Sequence, residues 1–533
     1  MSQNSWCRVG SLLIWPLAAL ALLAFFLIGL DHALLFDVDE GAFTEATREM
    51  LASRDWGHTT LNGVDRFDKP IGVYWLQALS ASIFGLNEFS YRLPSALSGW
   101  LASLALAFFA KEKWGAQAAC MAAVISATSL GPWAMARTAT ADALLGLCFV
   151  LIFLDLWRSI ETQKMTHVRR LALWIGLGLL VKGPVAVLVP LGTLLIYSVF
   201  SPLDRAQIKK MLLDTWSWLV LITVSLPWYL YAFLRHGQDF VSGFLLKHNV
   251  ERFTGSLEGH SGHWSYFLFA LPLLWLPWSV MWFKSLLGLK DQWTQGFFRF
   301  CWIWFAFVFV FFTFANTKLP HYLLYAGPAM CFLILHGTHK ASRATWLLTW
   351  VLAIEALLFL ILLPSYLQTH IDLVHDEYYR VLLANTSTSD MLMRSLAMAI
   401  VFLMWPLLNL MMKHANSSPL LNWRGMGFVS VALYQSVVLA LVVLPWWSQV
   451  LQSPVHTLAM KIKDSSLTVV QWGVHLPSFA TYSQKEAPRR EPRPGEMALV
   501  KNIKPHWPKD WQIVDSQGPI AIVKMPLSTE KNP

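Results

Sequence analysis

Apolar residues in this chain fall in long blocks separated by short polar stretches. Residues 11–30 (Ser11 to Leu30) are nearly free of polar side chains. A helix of about 20 residues is about 30 Å long, the depth of bilayer hydrocarbon. Further blocks lie near 91–110, 115–133, 139–157, 170–181, 184–200, 214–234, 264–283, 300–314, 320–337, 345–364, 391–412 and 425–446. They predict about 13 transmembrane helices. The fifth is short, ends at Lys182-Gly183-Pro184, and is expected to be half-buried or merged with the sixth. The first block could also serve as a signal peptide, but no small-x-small cleavage site precedes the acidic loop that follows.

After Trp447 the pattern changes. Residues 448–533 are polar, with a Pro-rich run from Ala487 to Pro494 and short alternating runs at Leu467–Trp472, Met497–Val500 and Ile520–Val523. These predict a small external α/β domain. The fold class is therefore an all-α polytopic membrane domain, 1–447, followed by a C-terminal domain, 448–533.

Composition supports that division. The chain is 56% hydrophobic and 14% charged, whereas soluble domains carry about a quarter charged residues. Its formal charge of +9 does not imply a nucleic-acid partner. Many positives sit in alternate short loops: Lys111 and Lys113; Arg158, Lys164, Arg169 and Arg170; Arg205, Lys209 and Lys210; Lys284 and Lys290; Lys340 and Arg343; Lys413 and Arg424. By the positive-inside rule these loops are cytoplasmic. The long loops 31–90, 235–263 and 365–390 then face outward, with a cytoplasmic N-terminus and an external, periplasmic C-terminus. Cys7, Cys120, Cys148, Cys301 and Cys331 lie in or beside apolar segments, so neither a disulfide framework nor a thiolate metal site is expected.

The first outer loop holds the densest polar chemistry. Asp37, Asp39 and Glu40 precede a predicted helix over 41–53, where Phe43, Ala46, Met50 and Leu51 recur at helical spacing. Asp39 reads either as an N-cap on an interfacial helix or as a carboxylate placed for general-base work. In Phe67-Asp68-Lys69-Pro70, Lys69 is either an interfacial anchor or a phosphate ligand. The second long loop carries His248, Glu251 and Arg252, then His260 and His263, a weak metal pattern. Arg137, Lys182 and Lys318 lie at outer span ends, with Asp142 just inside a span. Converging cations would form an anion pocket. Glu355, inside an apolar block, is expected to pair with a partner the sequence does not identify.

In order, the chain presents Asp39-Glu40, Arg48-Glu49-Met50-Leu51-Ala52-Ser53-Arg54-Asp55-Trp56, Phe67-Asp68-Lys69-Pro70, Tyr74-Trp75, Lys182-Gly183, His248 to Phe253, His260 before Trp264, and Lys318-Leu319-Pro320. This series resembles the aminoarabinose-transferase and protein O-mannosyltransferase superfamily of GT-C membrane glycosyltransferases, most of all its bacterial aminoarabinose-transferase-like members. The resemblance implies a sugar donor on polyprenyl phosphate, used at the outer face of the bacterial inner membrane. It implies a lipid A or other envelope acceptor, or alternatively a protein acceptor. Asp39, with Glu40 beside it, takes the catalytic position. Lys69, Arg137, Lys182, Arg252 and Lys318 become candidate donor-phosphate ligands. Asp68 and His260 match positions that hold a divalent metal such as zinc in some members. Here Asp68 is one methylene shorter than the family's common Glu, and Ile71 replaces a common second Pro.

The residues suit that chemistry. Inverting displacement at an anomeric carbon releases a phosphate that gains charge in the transition state, where cations stabilise it. A lipid-linked sugar transporter or flippase would also need polar groups in a membrane. Its usual inverted repeats are not evident, and the charges gather at the outer face instead of the midplane.

Overall fold

A computed structural model describes residues 3–251, 262–339, 341–384, 391, 393–395, 423–503, 507–508 and 511–526. Helix α1 (Gln3–Leu27) leads through an ordered loop into α2 (Asp39–Ser53), a small hairpin of β1 (Thr60–Leu61) and β2 (Val64–Asp65), and α3 (Gly72–Phe84). There follow α4 (Glu88–Trp114), α5 (Ala116–Thr128), α6 (Leu130–Met135), α7 (Asp142–Thr162), α8 (Met165–Lys182), α9 (Val185–Phe200), α10 (Arg205–Leu213) and α11 (Thr215–His236). Beyond the second long loop the main helices are Tyr266–Leu274, Ser279–Leu287, Gly296–Phe314, Gly327–His339, Arg343–Thr369, Trp423–Val438 and Leu444–Lys463.

Among the described residues six helices are long and apolar enough to cross a membrane, or up to eight if each of two bent pairs counts as one span. The pairs bend by 118° between α9 and the segment ending at Leu213, and by 114° between Tyr266–Leu274 and Ser279–Leu287. The block expected at 391–412 lies largely outside the described residues. The short fifth block belongs to a longer helix, α8, which Gly183 terminates at φ +82° before Pro184.

Helix ends are fixed by local chemistry. Asn87 caps α4 in a reciprocal box with Ser90, and Asp214 accepts from the Ser217 N–H at 2.9 Å to cap α11. Edge-to-face and tilted aromatics lock the bundle: Phe153 meets Trp304 at 5.2 Å and Phe300 at 4.9 Å. Glu355 is exposed on Arg343–Thr369, with no ion-pair partner among the described residues.

The last helix runs through the expected boundary at 447–448 to Lys463. A four-stranded sheet follows in the order β3 (Val469–Gln471), β4 (Met497–Lys501), β6 (Ile520–Lys524), β5 (Gln512–Gln517). β3 pairs parallel to β4, and the other neighbours are antiparallel. Leu444–Lys463 and the short helix Ser478–Ser483 cover one face through Val455, Leu458, Phe479, Leu499 and Ile522.

This domain docks on the first outer loop. Ser478 donates its N–H to Asp37 Oδ1 at 2.9 Å and its hydroxyl to Oδ2. Tyr482 accepts from the Leu35 N–H at 2.8 Å and donates to Glu88 at 2.9 Å. A Cβ at Gly41 would lie 2.6 Å from the Ser478 nitrogen, so the approach requires glycine there. Consequently α2 is buried from Glu40 to Met50 between α3 and Ser478–Ser483, not laid open on an interface.

Candidate active site

α2 begins at Asp39. Val38 occupies the cap position without a side-chain capping bond, so Asp39 is the first helical residue, not an N-cap. Its carboxylate still benefits from the helix dipole. It lines a cavity of about 260 Å³ with Glu40, Arg92, Arg137, Asp142 and His321. No hydrogen bond holds Asp39 among the described residues, which leaves its oxygens open to the cavity.

Glu40 is in the opposite condition. Arg92 Nε and NH2 donate to its two oxygens, each at 2.8 Å. The N–H groups of Phe36 and Ala139 add bonds at 3.0 and 2.7 Å. Arg92 also donates to the carbonyls of Leu30, Ala33 and Leu34. Glu40 is therefore the hub that fixes the loop presenting Asp39, with its lone pairs occupied.

Two further carboxylates hold cations nearby. Asp68 accepts from Lys69 Nζ at 2.6 Å and from Arg66 NH2 at 3.0 Å, and His248 Nδ1 lies 3.1 Å from Oδ1. Arg66 is itself steadied by the Tyr74 hydroxyl at 3.1 Å, and Tyr74 stacks on Phe43 of α2 at 5.5 Å. Asp142, at the start of α7, is bonded by Lys182 from the end of α8, with His321 Nε2 at 3.8 Å. Both pairs act on Asp39. Burial raises its pKa above the usual carboxylate value, Asp142 raises it further, and Lys69 opposes the rise. Burial also pushes Asp68 up, but Lys69, His248 and Arg66 together hold it well below the usual value.

The structure thus brings together Asp39, Asp68, Lys69 and Lys182. Arg137 lines the same cavity, yet its guanidinium donates to the carbonyls of Ile28 and Phe25 at 2.6 and 3.1 Å, closing the end of α1. Lys318 is buried and donates to the carbonyls of Phe312, Thr313 and Ala315 at the end of Gly296–Phe314. That is a helix C-cap, apart from the donor-phosphate role expected of it. Arg252 and His260 lie outside the described residues. Arg66, Arg92 and His321 join the site without having been singled out, and His248, not His260, is the described histidine beside Asp68. Arg66 stands directly before the Phe-Asp-Lys-Pro run, which was the available signal.

Asp68 and His248 offer two donor atoms for a metal. Two permanent cations, Arg66 and Lys69, already occupy that carboxylate. A divalent ion would have to sit against both charges with too few ligands for a closed tetrahedral shell. The described residues do not fit a metal at Asp68.

Residues 68–229 match the protein family described as dolichyl-phosphate-mannose-protein mannosyltransferase. An undecaprenyl phosphate-alpha-4-amino-4-deoxy-L-arabinose arabinosyl transferase of Pseudomonas fluorescens is 28% identical over 316 residues, covering 58% of this chain and 53% of the relative. Its counterpart in Pseudomonas aeruginosa (strain UCBPP-PA14) is 27% identical over 384 residues, covering 69% and 68%. The matched stretch thus spans about half to two thirds of these relatives' length. The crystal structure of ArnT from Cupriavidus metallidurans bound to undecaprenyl phosphate superposes with a TM-score of 0.76 at 20% identity, covering 96% of this chain and 98% of that one. The chain has the fold of ArnT, with several helices among the described residues long and apolar enough to cross a membrane. In sequence it is similar to the aminoarabinose transferases, at 27–28% identity.

Proposed function

We propose that this protein is a glycosyltransferase that moves a sugar from a polyprenyl-phosphate carrier to lipid A or another envelope acceptor. The observation that carries the reading is the cavity-facing Asp39 beside the Asp68–Lys69 and Asp142–Lys182 pairs. The named relatives, aminoarabinose transferases using undecaprenyl phosphate, support the same donor class.

In this mechanism the acceptor attacks the anomeric carbon from the face opposite the phosphate. The C–O bond to the carrier breaks, and the configuration inverts. The Lys69 and Lys182 ammoniums, fixed by Asp68 and Asp142, supply positive charge near the departing phosphate, in place before its charge develops. If the acceptor is a hydroxyl, Asp39 takes its proton; its raised pKa makes it a stronger base than an ordinary aspartate. If the acceptor is a phosphate, Asp39 orients it. Glu40 and Arg92 are positioning residues that hold the Asp39 loop. The basic loops support a cytoplasmic N-terminus and an external C-terminal domain, which puts this chemistry on the periplasmic side.

Mass spectrometry of envelope lipids and glycans tests the reading. A strain lacking the gene should lose a glycosylated species that returns with wild type and not with Asp39→Asn. Full restoration by Asp39→Asn would refute the site. Unchanged glycosylation, with a lipid-linked sugar accumulating on the cytoplasmic side, would favour a flippase.

A further inference from the structure

A second cluster joins the first outer loop to the end of α11 and has no part in the proposed chemistry. His58 precedes β1, Asp65 ends β2, and His236 ends α11. His58 Nε2 is 2.9 Å from Asp65 Oδ1, and His236 Nδ1 is 3.5 Å from Oδ2. The two imidazoles lie against each other at 4.3 Å between centroids, 31° apart. One ligand atom from each of the three residues falls within 4.8 Å of the others. We propose that His58, Asp65 and His236 form a divalent-metal site, suited to zinc, that fastens the β1–β2 hairpin to the end of α11.

Two imidazoles and one carboxylate are a familiar three-ligand set, leaving a fourth position for water. The side chains allow it: both histidines are 11% exposed, while Asp65 is 52% exposed and opens the site to solvent. Among the described residues His236 Nε2 is buried with no hydrogen-bond partner, and the ring's Nδ1 faces Asp65. Phe67 packs its edge on the same ring at 5.1 Å and makes one apolar wall.

The surroundings pre-form the site. Arg235 pairs with Asp55 at 2.6 Å, and the Trp228 indole donates to the Gly57 carbonyl at 3.0 Å. Thr59 and Arg66 bond each other twice across the hairpin base, at 2.9 and 2.8 Å. The ion would therefore tie α11 to the strand that runs directly into Arg66, Asp68 and Lys69. Phe67 packs against both rings, and the cluster adjoins Arg66 and Lys69 across a small pocket but shares no ligand with Asp68. The inference stands whether or not the sugar-transfer reading holds.

Zinc uptake by tag-free, full-length protein in detergent tests this. After chelator treatment and re-addition of zinc chloride, elemental analysis should give about one zinc per chain, and the thermal midpoint should rise. The pair His58→Gln with His236→Gln, which keeps polar side chains of similar size, should lose both the zinc and the rise. Asp68→Asn should retain both. No zinc uptake by wild type would overturn the site, as would equal uptake by the double glutamine variant. Loss of zinc in Asp68→Asn with retention in the double variant would move the ion to Asp68 and overturn it as well.

Discussion

Asp39 should govern the acidic limb of the pH–rate profile. Transfer requires its ionised form, and burial and Asp142 raise its pKa. Activity should therefore fall as pH drops through a value above the ordinary carboxylate range of about 4, and Asp39→Asn should abolish that limb. A bound donor phosphate adds negative charge near Lys69. The limb should consequently lie at higher pH in kcat, which reports the complex, than in kcat/KM, which reports free enzyme. Coincident limbs would separate Asp39 from the donor. Asp39, Asp68 and Lys69 were legible as residues from their order along the chain. Their division of labour was not: Asp39-Glu40 reads as a matched pair, and only Arg92, 52 positions away from Glu40, reveals that one member is engaged in packing.

At the level of elements, buried polar contacts decide which motif residues can act. Arg92→Ala would leave Glu40 charged and unpaired in the interior, which typically costs about 3–5 kcal/mol. The thermal midpoint in detergent should fall sharply, and Arg92→Lys should recover part of it. A midpoint unmoved by Arg92→Ala would contradict the hub assignment. Lys318→Gln should likewise lower stability by weakening the cap on Gly296–Phe314, while donor KM stays within about twofold. A large rise in KM at unchanged stability would return Lys318 to the donor site. The Arg48-Glu49 motif is similarly structural: Arg48 pairs with Glu45 at 2.7 Å, and Glu49 accepts from Thr60 and from the Gly63 N–H. The hairpin so held carries an Asn62-Gly63 turn signal. Its strands of two residues each are too short for alternation to show, so it went unread, and with it the placement of His58 and Asp65.

Across the whole molecule, the long apolar blocks made the helical bundle legible, because bilayer thickness imposes a length that sequence alone can display. The alternating runs at 467–472, 497–500 and 520–523 likewise located three of the four C-terminal strands, whereas β5 is mostly exposed and lacks a clear apolar face. What sequence could not display is the docking of that domain on the Asp39 loop. Asp37 is central there. Burial lifts its pKa to about 7, against the hydrogen bonds from Ser478 that favour its charge. Its folded value lies above its unfolded one, so the folded state holds more protons between about pH 4 and 7. Stability should decline as pH rises through that window, and Asp37→Asn should flatten the decline. A wild-type midpoint independent of pH there would contradict this placement of Asp37.

The proposed roles of Asp39 and Lys69 lie in sugar transfer from a polyprenyl-phosphate donor. Its most direct test is release of free polyprenyl phosphate, followed by mass spectrometry, from vesicles containing purified protein, polyprenyl-phosphate sugar and extracted envelope acceptors. Wild type should release carrier and glycosylated acceptor in equal amounts, with Asp39→Asn and Lys69→Ala each slower by about 10²–10³-fold. Release by both variants at the wild-type rate, or no release by wild type while labelled donor crosses the bilayer, would contradict the account.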